Sequence, residues 1–175
     1  MTIRNFKSHT PKLGKNVFVD ETALIIGQVD LADDVSIWPM CVLRGDVNTI
    51  SIGARTNIQD GAILHVNHKS PDNLEGDPVI IGEDVTVGHQ AMIHGCTIKD
   101  RVLVGIGSKI MDKAVIESDV MIGAGSLVPP NKVLESGYLY FGSPIKQVRK
   151  LTEAELKHLL YSSQHYVEIK NEHAG

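Results

Sequence analysis

The residues able to do chemistry in this chain are histidines. There are eight, and three of them, His65, His89 and His94, are candidate ligands, the last two spaced as His89-x4-His94. Neutral imidazole is the commonest protein ligand for a transition metal. Three such nitrogens with a fourth position left open make the donor set of a catalytic zinc site, in contrast to the closed set of a structural one. A metal held in that way lowers the pKa of bound water to about 7, so that hydroxide is at hand at neutral pH. His9, His158, His165 and His173 have no partner pattern and read as solvated. Whether the three histidines can meet depends on the elements that carry them.

Those elements are legible from a repeat. A branched aliphatic returns every six residues as Leu13, Val19, Ile25, Leu31, Ile37 and Leu43, then after three extra residues as Ile52, Ile58 and Leu64. After a longer insertion come Ile81, Val87 and Ile93; one residue is dropped, and Ile98, Val104, Ile110, Ile116, Ile122 and Val128 follow. The residue two before each of these leads is small or apolar and never charged, as at Ala23, Val35, Cys41, Ala62, Cys96 and Ser108. A period of six matches neither a helix nor simple strand alternation. It matches a solenoid of short strands with a corner after each, three hexads to a triangular coil. Eighteen hexads make about six coils, stacked at about 4.8 Å. Glycine follows the lead at Gly53, Gly82, Gly88, Gly105 and Gly123, where a sharp corner calls for positive φ. The expected layout is a β-helix over residues 1–130, then a connection and C-terminal helix over 131–175 packed on the same domain. In that tail Thr152-Glu153-Ala154-Glu155 reads as a capping box opening a helix over about 153–170, and Pro129 to Arg149 as a segment that leaves the coil.

The composition excludes several roles. With 175 residues the chain can bury a real core as one domain. A net charge of −4 and no basic run argue against nucleic acid as partner. No apolar run reaches the ~20 residues of a membrane helix, and the opening MTIRNFKSHTP lacks the apolar core of a signal peptide. Two cysteines suit a reducing cytosol, and as Cys41 and Cys96 both fall in the small inward slot they read as buried structural thiols. A cytoplasmic protein is the expectation.

Repeat phase turns sequence into coordinates. Leads three hexads apart share a face, so the residues just after Leu43, Leu64 and Ile93, namely Arg44, His65 and His94, stack in an outward column. Two stacked imidazoles can share one zinc ion, or can be solvent-facing by chance. His89 falls two after Val87 and projects from another face, one coil from Gln59. Within one chain it cannot join the column; a threefold trimer that packs its face against a neighbour's column brings it there. Asp46 then joins Arg44 and Gln59 around the histidines.

At these residues the chain resembles the gamma-class carbonic anhydrases and their bacterial short-loop homologues, which are hexapeptide-repeat proteins. The motifs are Arg44-Gly45-Asp46, Asn57-Ile58-Gln59-Asp60, His65, Gly88-His89 and His89-x4-His94. The resemblance implies a left-handed hand for the parallel β-helix, and a homotrimer with zinc held by His65, His89 and His94, iron and cobalt being the alternatives. It further implies reversible hydration of carbon dioxide to bicarbonate by a metal-bound hydroxide at the trimer interface. Arg44 and Asp46 would support that interface, and Gln59 would orient the metal-bound water. Two departures from active members bear on speed. Val47 stands where they carry a glutamate after the aspartate, and His68, on a loop of roughly Val66 to Pro78, stands where they carry a proton-shuttling one. His68 is therefore a candidate shuttle, and Tyr166 of the tail helix a candidate to reach the site. The rival readings are a hexapeptide-repeat acyltransferase, a CoA thioesterase using the same hydroxide, and a non-catalytic metal-binding trimer.

Overall fold

The computed structural model describes residues 2–173, and in it the short strands wind into a parallel β-solenoid of three flat faces. Each rung hydrogen-bonds to the rung one coil away: Leu43 lies opposite Leu64 and Leu64 opposite Ile93. Ile58 lies opposite Val87, and Val87 opposite Val104. Every lead from Ile25 to Val128 is buried, and so are the small-slot residues that precede them. Each buried aliphatic stabilises the fold by roughly 1.5–3 kcal/mol. A narrow prism has room for one large side chain per rung, which is why Ile, Leu and Val fill it and rings are scarce. Cys41 and Cys96 are among these buried residues. Burial pushes the Cys41 thiol up to about 11, and burial raises Cys96 as well, so neither is a nucleophile at neutral pH.

The solenoid is longer than six coils. Ile3–Arg4 pairs with Ile25 and Ile26 at one end. At the other, Val133–Leu134 pairs with Val115–Ile116, and Tyr138–Phe141 pairs with Met121–Ile122. The site-bearing face thus has eight rungs, led by Ile3, Ile25, Leu43, Leu64, Ile93, Ile110, Val128 and Ile145. This corrects the reading of Pro129 to Arg149 as a segment that leaves the coil. Leu134 and Tyr140 keep the six-residue phase and are buried; only the strand Lys146–Lys150 turns back, antiparallel on Tyr138–Phe141.

The glycines after the leads also have a different cause from the one expected. None of Gly53, Gly82, Gly88, Gly105 or Gly123 has positive φ; the left-handed corners are taken by residues such as Asp34, Arg55, Asp84, Gln90, Arg101 and Asp119. What excludes a side chain is the next coil. A Cβ on Gly105 would sit 2.5 Å from the Ala124 backbone nitrogen.

The C-terminal helix spans Glu153–His173, three residues beyond the expected end. The capping box is present: Thr152 donates its N–H to the Glu155 carboxylate at 2.9 Å, and the Glu155 N–H donates to the Thr152 hydroxyl at 3.2 Å. Leu159, Ser163 and Lys170 are its buried seam, while Leu156 and Leu160 stay partly exposed. The helix lies against Ser36–Ile37, Asn57–Ile58 and Thr86–Val87, so it covers part of one face only.

Two irregularities position functional residues. The three extra residues after Leu43 are absorbed by a bulge in the strand Val42–Ile52, whose register with Leu24–Leu31 shifts between Gly27 and Val29. The longer insertion forms a closed loop over residues 66–78. Asp77, almost fully buried, accepts hydrogen bonds from the side chains of Asn67 and Asn73, and Asn48 donates to the carbonyls of Asn67 and Glu75.

Candidate metal centre

Arg44, His65 and His94 do form one column: Arg44 lies opposite His65, and His65 opposite His94. Their Cβ atoms point outward because each follows an inward lead. The bulge swings Asp46 back over the column, where Arg44 and His65 both hydrogen-bond its carboxylate, the latter through Nε2 at 3.1 Å. Burial alone would raise the Asp46 carboxyl, but these two bonds outweigh it and hold the group below its usual range. Burial likewise holds His65 below the usual imidazole value, against the Asp46 bond that would raise it. His94 turns its Nδ1 to Asp112, 2.5 Å away on the next coil. The remaining ring nitrogens, His65 Nδ1 and His94 Nε2, face each other at 3.2 Å.

Gln59, His89 and Tyr166 form a second group, on the face that carries the helix. His89 follows Thr86–Val87 and its Nδ1 lies 2.9 Å from Asp60. Gln59 is buried and donates to Asn57, which donates to the Thr86 hydroxyl; that hydroxyl shares a hydrogen bond with Ser162 of the helix. Tyr166 packs edge-on against Trp38 at 5.5 Å, and burial followed by the Asp60 charge pushes its hydroxyl up. His68 joins neither group: it is exposed on the 66–78 loop, and its ring makes no hydrogen bond among the described residues.

Asp112 and Asp60, each holding a histidine, are the residues that sequence reasoning passed over. Asp60 stood in a quoted motif without a role. Asp112 falls two after the lead Ile110, one coil beyond His94, so repeat phase already placed it beside the column.

The hexapeptide-repeat family of bacterial transferases (six repeats) matches residues 95–130. A carbonic anhydrase of Geobacillus kaustophilus is 45% identical over 163 residues, 93% of this chain and 86% of that protein. The chain belongs to the gamma carbonic anhydrase family. The YrdA protein of Escherichia coli is 58% identical over 171 residues, 98% of this chain and 93% of its own. A solved structure from Bacillus cereus, described as a putative acetyltransferase, superposes with TM-score 0.91 at 39% identity, covering 98% of this chain and 95% of that one.

The donor set of this gamma carbonic anhydrase homologue fits a metal. A carboxylate only accepts, so the nitrogens facing Asp46 and Asp112 carry the hydrogens. With both rings neutral, that leaves His65 Nδ1 and His94 Nε2 as two bare acceptors, which cannot bond each other. Their 3.2 Å separation is close to the roughly 3.3 Å edge of a tetrahedron with zinc–nitrogen bonds of about 2.0–2.1 Å.

Proposed function

We propose that this protein works as a homotrimeric, metal-dependent carbonic anhydrase that interconverts carbon dioxide and bicarbonate. His65 and His94 of one subunit and His89 of the next would hold the metal, zinc by default. The observation that carries this reading is the pair of bare nitrogens converging at 3.2 Å. Among the described residues no group of three His, Cys, Asp or Glu is gathered within one chain, and a ligand from a neighbouring copy would complete the pair. His89, aligned by Asp60 and part-exposed, is the donor that a threefold copy supplies. An outward row of Leu24, Val42, Ile63 and Met92 beside the column offers that copy an apolar surface.

The chemistry that a zinc-class ion would supply there is a water acidified to a pKa of about 7. Asp46 and Asp60 orient His65 and His89. Gln59, tied to Asn57 through one N–H, keeps its amide oxygen free to orient the attacking water. Arg44 neutralises the Asp46 carboxylate two residues further along the same strand. Addition of water to carbon dioxide leaves bicarbonate and one proton, which must reach solvent in every cycle.

His68 is the residue we assign to that export. The loop backbone is pinned on both sides of it, at Asn67 and at Asn73 to Asp77, so relay rests on rotation of the side chain alone. His68→Ala is expected to lower kcat more than kcat/KM, with imidazole buffer restoring part of the loss. Equal rates of variant and parent at every buffer concentration would remove His68 from the mechanism.

Metal analysis and stopped flow test the reading as a whole. Protein stripped by chelator and reloaded with zinc should hold about one ion per chain and hydrate carbon dioxide only when loaded. Acetyl-CoA and a CoA thioester serve as parallel substrates. Turnover of either, with no metal-dependent hydration, would replace the anhydrase reading with acyl transfer or thioester hydrolysis.

A further inference from the structure

The corner after His94 is the tightest on the site-bearing face. The lead that follows Ile93 comes after five residues instead of six, and Gly95 turns the corner with φ +50. A Cβ on Gly95 would lie 2.4 Å from an Asp112 carboxylate oxygen and 2.8 Å from Cβ of Asp77. The absence of a side chain is what lets Asp112 reach up from the next coil. The corner is closed from below by the Lys113 N–H, which donates to the Gly95 carbonyl at 2.7 Å. The Asp112 side chain makes no other hydrogen bond or ion pair among the described residues; what ties this residue to the next coil is its backbone carbonyl, which accepts the Asn131 N–H. The aspartates at two comparable corners differ, because Asp33 and Asp100 accept backbone N–H groups of Lys15 and Glu83.

We infer that Asp112 is a positioning residue for His94: it holds the hydrogen on Nδ1 and so presents a bare Nε2 to the metal. This rests on the metal reading above and deepens it. The physical reason is that free imidazole of histidine prefers its hydrogen on Nε2, the nitrogen that must be bare here. A carboxylate within hydrogen-bond reach of Nδ1 reverses that preference and locks the ring plane, which outer partners of metal-bound histidines do generally. Dropping one residue from the repeat and placing glycine in the gap are the means by which this coil admits the carboxylate.

Nitrogen-15 NMR of the metal-free protein with labelled histidine reads the tautomer directly. The parent should show His94 with hydrogen on Nδ1, Asp112→Ala should shift it to Nε2, and Asp112→Asn, which keeps an acceptor oxygen, should fall between. In a second measurement, cobalt titrated into the stripped protein and followed by its visible absorption should bind about 10–100-fold more weakly to Asp112→Ala. The Asp112 side chain is part-exposed and otherwise unbonded among the described residues, so circular dichroism should find both variants folded. An unchanged tautomer in Asp112→Ala overturns the inference, whatever the cobalt affinity. A parent that takes up no cobalt overturns the metal reading instead, while the tautomer still decides the role of Asp112.

Discussion

His89→Ala is expected to empty the metal site and reduce carbon dioxide hydration to background, while leaving the β-solenoid folded. His89 lies outside the prism interior, with its side chain 42% exposed and, among the described residues, bonded to Asp60 alone, itself 49% exposed. Water replaces that bond, so the stability change should stay within about 0.5 kcal/mol, the usual range for a surface substitution. That corresponds to no more than about 2 °C in Tm for a chain of this size. The effect on metal should be far larger, because two imidazoles cannot complete a site that needs three protein ligands and an open position. Elemental analysis after dialysis against chelator checks this, with thermal unfolding as control. A variant that keeps a full metal complement would show that the third ligand lies elsewhere.

The second large effect is expected at a residue with no chemistry of its own. Ile63 stands next to His65 in the outward row between Val42 and Met92, and is 38% exposed in the single chain. In the proposed trimer this row is covered, and a carboxylate placed there would lose water without gaining a partner, at an effective cost of several kcal/mol. Ile63→Asp should therefore run as a monomer in light scattering and lose its metal although His65, His89 and His94 are all intact. The same substitution in a solvated row would cost only the strand preference, on the order of 1 kcal/mol. Ile63→Thr keeps the β-branched shape without the charge and should remain trimeric. A stable, metal-replete trimer of Ile63→Asp would place the subunit contact on another face.

Together the two variants separate ligand loss from assembly loss. His89→Ala removes a donor and leaves the apolar row; Ile63→Asp leaves every donor and removes the contact. If His89 comes from a neighbouring subunit, both end at the same metal-free state by different routes.

Much of this molecule could be read before its structure, for a reason particular to solenoids. Each coil repeats the same backbone path, so the position of a residue after its lead states which way it points and what stacks on it. That is why Arg44, His65 and His94 were legible as one column and His89 as lying apart, although no two of these four are sequence neighbours. The further coil beyond Val128 obeyed the same phase through Leu134 and Tyr140. It was obscured by Pro129, Pro130 and Gly137, and by a tyrosine in the slot that aliphatics fill elsewhere.

What phase could not supply is what happens where the repeat is broken. Three added residues after Leu43 could have looped outward; only the register shift against Gly27 shows them absorbed as a bulge that returns Asp46 to His65. The residue dropped before Ile98 could have been a mere irregularity; only the packed corner shows that it admits Asp112 to His94. The amino-acid sequence by itself determined the solenoid, its buried leads and the faces on which the histidines stand, because those follow from a period that each residue obeys locally. The tertiary structure decided which carboxylate holds which imidazole, and hence which ring nitrogens are left bare. The pairings of Asp46 with His65 and of Asp112 with His94 join different coils where the repeat is broken, so the path of the chain there is set by packing and not by the period.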